Sequence, residues 1–167
     1  MFEYGIEKST AHLWAHICPL DATIYLYPRL NMLNVLKKYP VSTGKTFIGH
    51  LVPIRNNLKV NDGFITGIEF GYRELKKHKW ENASEHEAGE IGENIFVSLV
   101  DSGIIRLPAK SSKFREKKDQ YMGKDFVLTA KIPETIIEVK FDRPGGVWGT
   151  GNLFVQTHEC HNKNVAS

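Results

Sequence analysis

Glu138 and Lys140 are the residues whose types and spacing are best suited to chemistry. They alternate with Ile137, Val139 and Phe141 in an apolar run. Since a β-strand sends successive side chains to opposite faces, the acid and the lysine are predicted to project together from one face. Metal-dependent phosphodiester cleavage needs carboxylates to hold the ion and gains from a cation near the attacking water. The pair could supply both parts.

A second carboxylate, Asp125, lies thirteen positions before Glu138. Residues 125–130 and 135–142 both have the apolar, β-branched composition of strands, and residues 131–134 are a short connection between them. We therefore expect Asp125 to lie on the strand next to the one that carries Glu138.

A helix is predicted over residues 84–102, upstream of these strands. Ser84 and Glu87 have the spacing of a capping box, and Gly103 offers a stop. At 100° per residue, Glu93 falls within the wide apolar arc of this helix, and a carboxylate there needs a partner or a metal ion. Gly89 and Gly92 fall on the same side, where they would let the helix approach a sheet closely.

The rest of the chain predicts further strands, one helix and a glycine-rich connection. A short strand is expected at residues 104–107, and residues 152–156 suit a further strand or a short helix. The glycine-rich stretch at residues 145–151 lies between the Glu138 strand and residues 152–156. It is interpreted as a flexible connection that could follow a nucleic-acid backbone. Residues 1–80 predict a helix at 28–36, stopped by Tyr39 and Pro40, then strands at 47–52, 58–60 and 64–70 with a tight turn at 61–63.

Composition favours a small soluble protein. The chain has 167 residues, a formal charge of +3 and two cysteines, which suits one compact unit without a disulfide framework. It has no apolar run long enough to cross a bilayer, so we expect a cytoplasmic protein without a membrane partner. We divide it into an N-terminal elaboration, residues 1–80, and a core, residues 81–167.

The positive charge is concentrated just before Asp125, where Phe114 and Tyr121 are interspersed. Such a segment could contact phosphates and stack a base, although a solvated charged loop has the same composition. With Arg143 added, the candidate nucleic-acid contacts are Lys110, Lys113, Arg115, Lys117, Lys118, Lys124 and Arg143.

The order of these features resembles the core of the PD-(D/E)xK nuclease superfamily, over roughly residues 84–160. The run Glu-Ile-Gly-Glu-Asn-Ile-Phe is similar to the first core helix of Holliday-junction resolvases and related phage or repair nucleases. Residues 138–143 followed by 150–156 are similar to a phage-type branch, in which Glu often occupies the position of Gln156. One departure is Lys124, where the family pattern has Pro.

The resemblance implies an α/β fold: a restriction-endonuclease-like core with a mixed central sheet flanked by helices, plus the N-terminal elaboration. It implies a Mg²⁺- or Mn²⁺-dependent endonuclease that acts on DNA, with branched or repair-related substrates among the options, and a homodimer. Asp125 and Glu138 would bind the metal with the Val139 carbonyl. Lys140 would act on the water or the transition state, Glu93 would support the site, and Gln156 would contact the scissile region.

Two other interpretations stay open. A non-catalytic nucleic-acid-binding or protein-interaction module could keep a nuclease-like fold, with Glu93 paired to Lys140. The two His-x-Cys pairs, His16 with Cys18 and His158 with Cys160, together offer four ligands of the types that zinc prefers.

Overall fold

The protein has an α/β fold. The computed structural model describes residues 5–43, 47–54, 63–105, 110–113, 126–129 and 135–159. The strands are β1 (Leu13–Cys18), β2 (Thr23–Pro28), β3 (Val41–Thr43), β4 (Phe47–Pro53), β5 (Thr66–Glu69), β6 (Lys110–Lys113), β7 (Phe126–Thr129), β8 (Thr135–Phe141) and β9 (Asn152–Glu159). The helices are α1 (Arg29–Val35), α2 (Tyr72–Leu75) and α3 (Glu85–Asp101).

Six strands form a large mixed sheet in the order β5-β2-β1-β8-β7-β6. Its centre is the parallel pair β1 and β8, in which Trp14 lies opposite Glu138 and His16 opposite Lys140. All the other pairs in this sheet are antiparallel. The expected mixed central sheet is therefore present, and its central contact joins residues more than 120 positions apart in the chain.

A second, smaller sheet has the order β3-β4-β9 and is antiparallel. Its register shifts between Ile48 and Gly49, opposite the stretch of β9 that contains Gln156. Each sheet thus combines strands from both sides of residue 80. The C-terminal β9 pairs with β4, whereas β8 pairs with β1 and β7.

The two faces of the large sheet are covered by different elements. On one face, Ile137 and Val139 belong to an apolar cluster with Ile95, Phe96 and Leu99 of α3. On the other face, a second cluster joins buried residues of the two sheets and of α1: Trp14, Tyr25, Tyr27, Met32, Val35, Val52, Leu153 and Val155. Glu138 and Lys140 alternate with Ile137 and Val139, so they lie on the face turned away from α3.

Helix α3 begins as its sequence predicts. The Ser84 side chain accepts from the backbone N–H of Glu87, whose carboxylate accepts from the backbone N–H of Ser84. Gly92 is buried against Phe141, where an added Cβ would lie 3.1 Å from the Cβ of Phe141. The expectation for Gly89 is wrong: it is exposed, and an added Cβ would meet nothing within 4 Å.

The other predicted elements divide into three groups. The helix at 28–36 and the strands at 47–52 and 64–70 are confirmed with small shifts of their ends, and residues 152–156 are part of a strand. Residues 104 and 105 are not in a strand, because the N–H of Ile105 closes the end of α3 on the carbonyl of Leu99. Residues 58–62 and 106–107 lie outside the described residues. Within the described ranges, no helix is both long and apolar enough to span a bilayer.

Candidate functional site

Glu138 and Lys140 lie side by side on β8, as the alternation predicts. Oε2 of Glu138 is 3.4 Å from Nζ of Lys140, and the two side chains are 9% and 18% exposed. Burying an acid and a base away from water is costly unless the two groups pair closely. The pair is therefore a polar contact beside an apolar core.

Trp14 is the neighbour that links this pair to β1. It is fully buried, lies opposite Glu138 in the parallel ladder, and has its ring centroid 5.4 Å from Nζ of Lys140. The electron-rich face of an indole attracts an ammonium group at this distance. Lys140 is thus positioned between a carboxylate and an aromatic ring.

The backbone of β8 alternates its hydrogen-bonding direction just as its side chains alternate between faces. The carbonyl of Ile136 accepts from the N–H of His12, and the N–H of Asp142 donates to the carbonyl of Ile17. Even-numbered residues of β8 therefore direct their backbone groups towards β1. It follows that the carbonyl of Val139 points the other way, towards the β7 side of the strand.

Strand β7 begins opposite Ile137, two residues before Val139. Its first residue, Phe126, pairs with Ile137, and β7 runs antiparallel to β8. Asp125, which precedes Phe126 in the sequence, lies outside the described residues. So do Arg115, Lys117, Lys118 and Lys124. Lys110 and Lys113 are in β6, but the positions of their side chains are not described.

Glu93 is placed on the far side of the sheet from the pair. It is half-buried on α3, and α3 packs on the face of β8 that carries Ile137 and Val139. Lys140 forms its described ion pair with Glu138. The supporting role of Glu93 remains a prediction, and it would have to act across or around the sheet.

Gln156 lies on β9, in the smaller sheet. It is 7% exposed, its carbonyl accepts from the N–H of Ile6 (2.8 Å), and its Nε2 is buried without a hydrogen-bond partner among the described residues. A buried amide group that makes no hydrogen bond costs free energy. Gln156 is thus a polar group with unused hydrogen-bonding capacity.

A buried polar network that the sequence analysis missed lies on the same face as Glu138 and Lys140. His16 is fully buried, with Nε2 2.6 Å from the hydroxyl of Tyr27 and Nδ1 3.4 Å from Oδ2 of Asp142. The same carboxylate oxygen accepts from the N–H of Phe154 in β9 (3.0 Å). Burial, with the nearby charge of Asp142, raises the pKa of Tyr27 well above its ordinary value, so this hydroxyl stays protonated.

This network argues against His16 as a zinc ligand, because both of its ring nitrogens are engaged. Burial also raises the pKa of the Cys18 thiol, which disfavours the thiolate that zinc requires. The side chain of His158 and all of Cys160 lie outside the described residues. Among the residues that are described, no three His, Cys, Asp or Glu side chains are grouped to hold a metal ion.

Arg143 is engaged by the protein itself. Its guanidinium donates to the carbonyl of Ala83 (2.6 Å) and to the carboxylate of Glu85 (2.6 Å), and it lies 3.4 Å from the carbonyl of Trp80. These contacts fasten the end of β8 to the segment before α3. Its predicted contact with nucleic acid would compete with them.

The glycine-rich segment after β8 is more constrained than its composition predicts. Oδ2 of Asp21 accepts from the N–H of Val147 (2.6 Å), and Oδ1 accepts from the N–H of Trp148 (2.8 Å). The N–H groups of Gly149 and Gly151 both bond to the carbonyl of Gly146. The segment is a hydrogen-bonded turn anchored to the β1–β2 connection, and the expectation of a flexible linker is wrong.

Comparisons of the chain with protein-family models, with curated proteins and with solved structures give no match.

Proposed function

We propose that this protein is a metal-dependent nuclease that hydrolyses DNA phosphodiester bonds. The observation that carries the proposal is the Glu138–Lys140 pair, 3.4 Å apart on one face of β8, at the point where β7 begins. An acid and a lysine, two residues apart on a central strand, are the parts expected of such a site.

The oxygen donors fit a hard divalent cation. Glu138 contributes a carboxylate, the Val139 carbonyl points to the β7 side, and β7 starts one residue after Asp125. Carboxylate and carbonyl oxygens are the ligands that Mg²⁺ and Mn²⁺ prefer. A bound divalent ion would supply an activated water and neutralise charge on the phosphate.

Lys140 has the second role in the proposal. Its ammonium is held near Glu138 and over Trp14, so its position is fixed before a substrate arrives. A preorganised cation in a water-poor site stabilises developing negative charge more strongly than a mobile one. Lys140 would orient the attacking water or stabilise the pentacovalent phosphate.

The burial of the pair supports a competing function, a nucleic-acid-binding or protein-interaction module without catalysis. Glu138 as a whole residue is 7% exposed, and a closed, buried ion pair also serves as a structural contact. In that case the pair would affect stability and not turnover.

The test measures metal binding and cleavage separately. Purified protein is titrated with Mn²⁺ by calorimetry, and a panel of single-stranded, duplex, nicked and branched DNA is incubated with Mg²⁺ or Mn²⁺. Asp125→Asn and Glu138→Gln should abolish Mn²⁺ binding and cleavage. Lys140→Met should retain binding and lose at least about a hundredfold in rate, as is typical for the loss of one preorganised charged group.

Matched controls are Glu69→Gln and Lys37→Met, both at exposed positions. These should cleave like the parent. If all three site variants fold and still cleave as fast as the parent, the assignment is wrong. If the parent shifts DNA in EDTA but never cleaves it, the binding-module function replaces the nuclease.

A further inference from the structure

An aromatic surface lies outside the proposed metal site, at the end of the large sheet where its two central strands, β1 and β8, terminate. Because β1 and β8 are parallel, their carboxyl ends meet at the same edge. Residues 19–22 follow β1 there, and residues 143–151 follow β8. The two connections are joined by the hydrogen bonds from Val147 and Trp148 to Asp21.

Trp148 is held out into solvent by this arrangement. It is 79% exposed, although its backbone N–H is fixed by Asp21. Gly146 has φ +100°, and a Cβ at this position would lie 2.5 Å from the Asp21 carboxylate, so the turn requires glycine. The local structure therefore stabilises the exposed position of a large aromatic side chain.

A second exposed aromatic, Tyr72, contacts the same connection. It is 55% exposed, and its hydroxyl donates to the carbonyl of Leu20 (2.9 Å). Leu20 also contacts the glycine turn, since a Cβ at Gly149 would be 3.0 Å from its Cδ1. Leu20 thus lies between the segments that carry Tyr72 and Trp148. These three residues, with Val147, are called the aromatic edge.

Positive charge follows Tyr72 directly along the chain. Residues 72–79 contain Arg73, Lys76, Lys77 and Lys79 but a single acid, Glu74. Arg73, Lys76 and Lys79 are exposed. Exposed aromatic groups, with exposed cations in the segment that begins at Tyr72, match a partner that combines stacked rings with phosphates.

We propose that the aromatic edge binds unpaired bases of a nucleic acid, with Trp148 stacking on a base and the 72–79 cations contacting the phosphates. The inference rests on the proposed nuclease function, and it narrows the substrate to DNA with a single-stranded part, such as a flap, a gap or an open junction. Duplex ends without unpaired bases would lack the stacking contact.

The test measures binding without cleavage. Fluorescence anisotropy of labelled dT20 and of a blunt duplex is recorded in EDTA, for the parent, Trp148→Ala, Trp148→Phe and the triple variant Arg73→Ala, Lys76→Ala and Lys79→Ala. Trp148→Ala should weaken dT20 binding about tenfold, as is typical for removal of one stacking aromatic, and Trp148→Phe should largely restore it. For the triple variant, the slope of the logarithm of the binding constant against the logarithm of the salt concentration should become shallower by up to about two.

The matched control is Leu30→Ala, which removes a 66%-exposed apolar side chain on α1 and should leave dT20 binding unchanged. Circular dichroism checks that each variant is folded. Binding to dT20 is measured in EDTA, where no metal-dependent cleavage takes place, so a failed nuclease proposal and a failed stacking proposal give different results.

Two outcomes overturn the inference. Trp148→Ala could bind dT20 as tightly as the parent, or the parent could bind the blunt duplex as tightly as dT20. In the first case, a change in the sedimentation of Trp148→Ala would assign the aromatic edge to a second copy of the chain.

Discussion

Nδ1 of His16 lies 3.4 Å from Oδ2 of Asp142, across 126 residues of sequence. The same oxygen accepts from the N–H of Phe154 in β9, so one carboxylate connects the large sheet to the smaller one. His16 lies opposite Lys140, and Asp142 follows β8 directly. The network thus fixes the end of the strand that carries Glu138 and Lys140.

Asp142→Ala is expected to destabilise the protein by about 3 kcal/mol, because it removes the partner of the buried His16 ring and of the half-buried Phe154 N–H. Urea unfolding followed by circular dichroism measures the free energy of unfolding. Asp101→Ala is the control, since Asp101 is exposed in the last turn of α3, where a negative charge is unfavourable. Equal stability of the two variants would mean that the network contributes nothing.

Two glycines of α3 should respond differently to the same substitution. Gly89→Ala should raise the free energy of unfolding by up to about 1 kcal/mol, since it adds helix propensity in open space. Gly92→Ala should raise the free energy of unfolding by clearly less, or lower it, because the added Cβ would lie 3.1 Å from the Cβ of Phe141. Thermal and urea unfolding of the two variants, side by side, measures the difference. A larger gain for Gly92→Ala would show that α3 does not approach β8 so closely.

Local patterns were predicted well from the sequence. The capping box of Ser84 and Glu87 involves only three residues of separation, and the alternation around Glu138 follows from strand geometry alone. The β1–β8 pairing could not be predicted, because it joins residues 13–17 to 137–141 and many apolar strands could have taken that place. His16 and Asp142 became partners only through this pairing.

The glycine-rich turn shows a second limit of the sequence. Composition predicts freedom at residues 145–151, but the constraint comes from Asp21, a residue 126 positions before Val147. Similarly, β9 has the pattern of a strand, yet nothing in its residues specifies β4 as its partner. Gln156 consequently lies in a different sheet from Glu138, a separation that the linear motif does not indicate.

The Glu87 carboxylate should make stability depend on pH in the acid range. Hydrogen bonds from the backbone and the side chain of Ser84 lower the pKa of Glu87 from its ordinary value of 4.5. A lowered folded pKa means that this contribution is fully present above the unfolded value. It is lost as the pH falls from about 4.5 through the folded pKa.

The measurement is the difference in free energy of unfolding between the parent and Glu87→Gln from pH 7 to pH 3. The difference should be constant down to about pH 5. Below that pH, the parent should lose stability relative to Glu87→Gln as Glu87 is protonated. Glu69→Gln, at an exposed position of β5, serves as the comparison for general acid effects. A difference that stays flat to pH 3 would show that Ser84 does not hold the charged carboxylate.

The Cys18 thiol should be unreactive in the native protein. It is fully buried, and burial, followed by the charges of Asp142 and Asp21, raises its pKa well above the ordinary value. Since the thiolate is the reactive form, labelling must wait for an opening of the structure.

In a Cys160→Ser background, a disulfide-exchange reagent at pH 7.5 should therefore label the native protein about a thousandfold more slowly than the urea-unfolded protein. Labelling should accelerate in Asp142→Ala in proportion to its lost stability, because opening becomes more frequent. Native labelling at the rate of the unfolded chain would show that the face of β1 carrying His16 and Cys18 is open to solvent, and the buried network could not then exist.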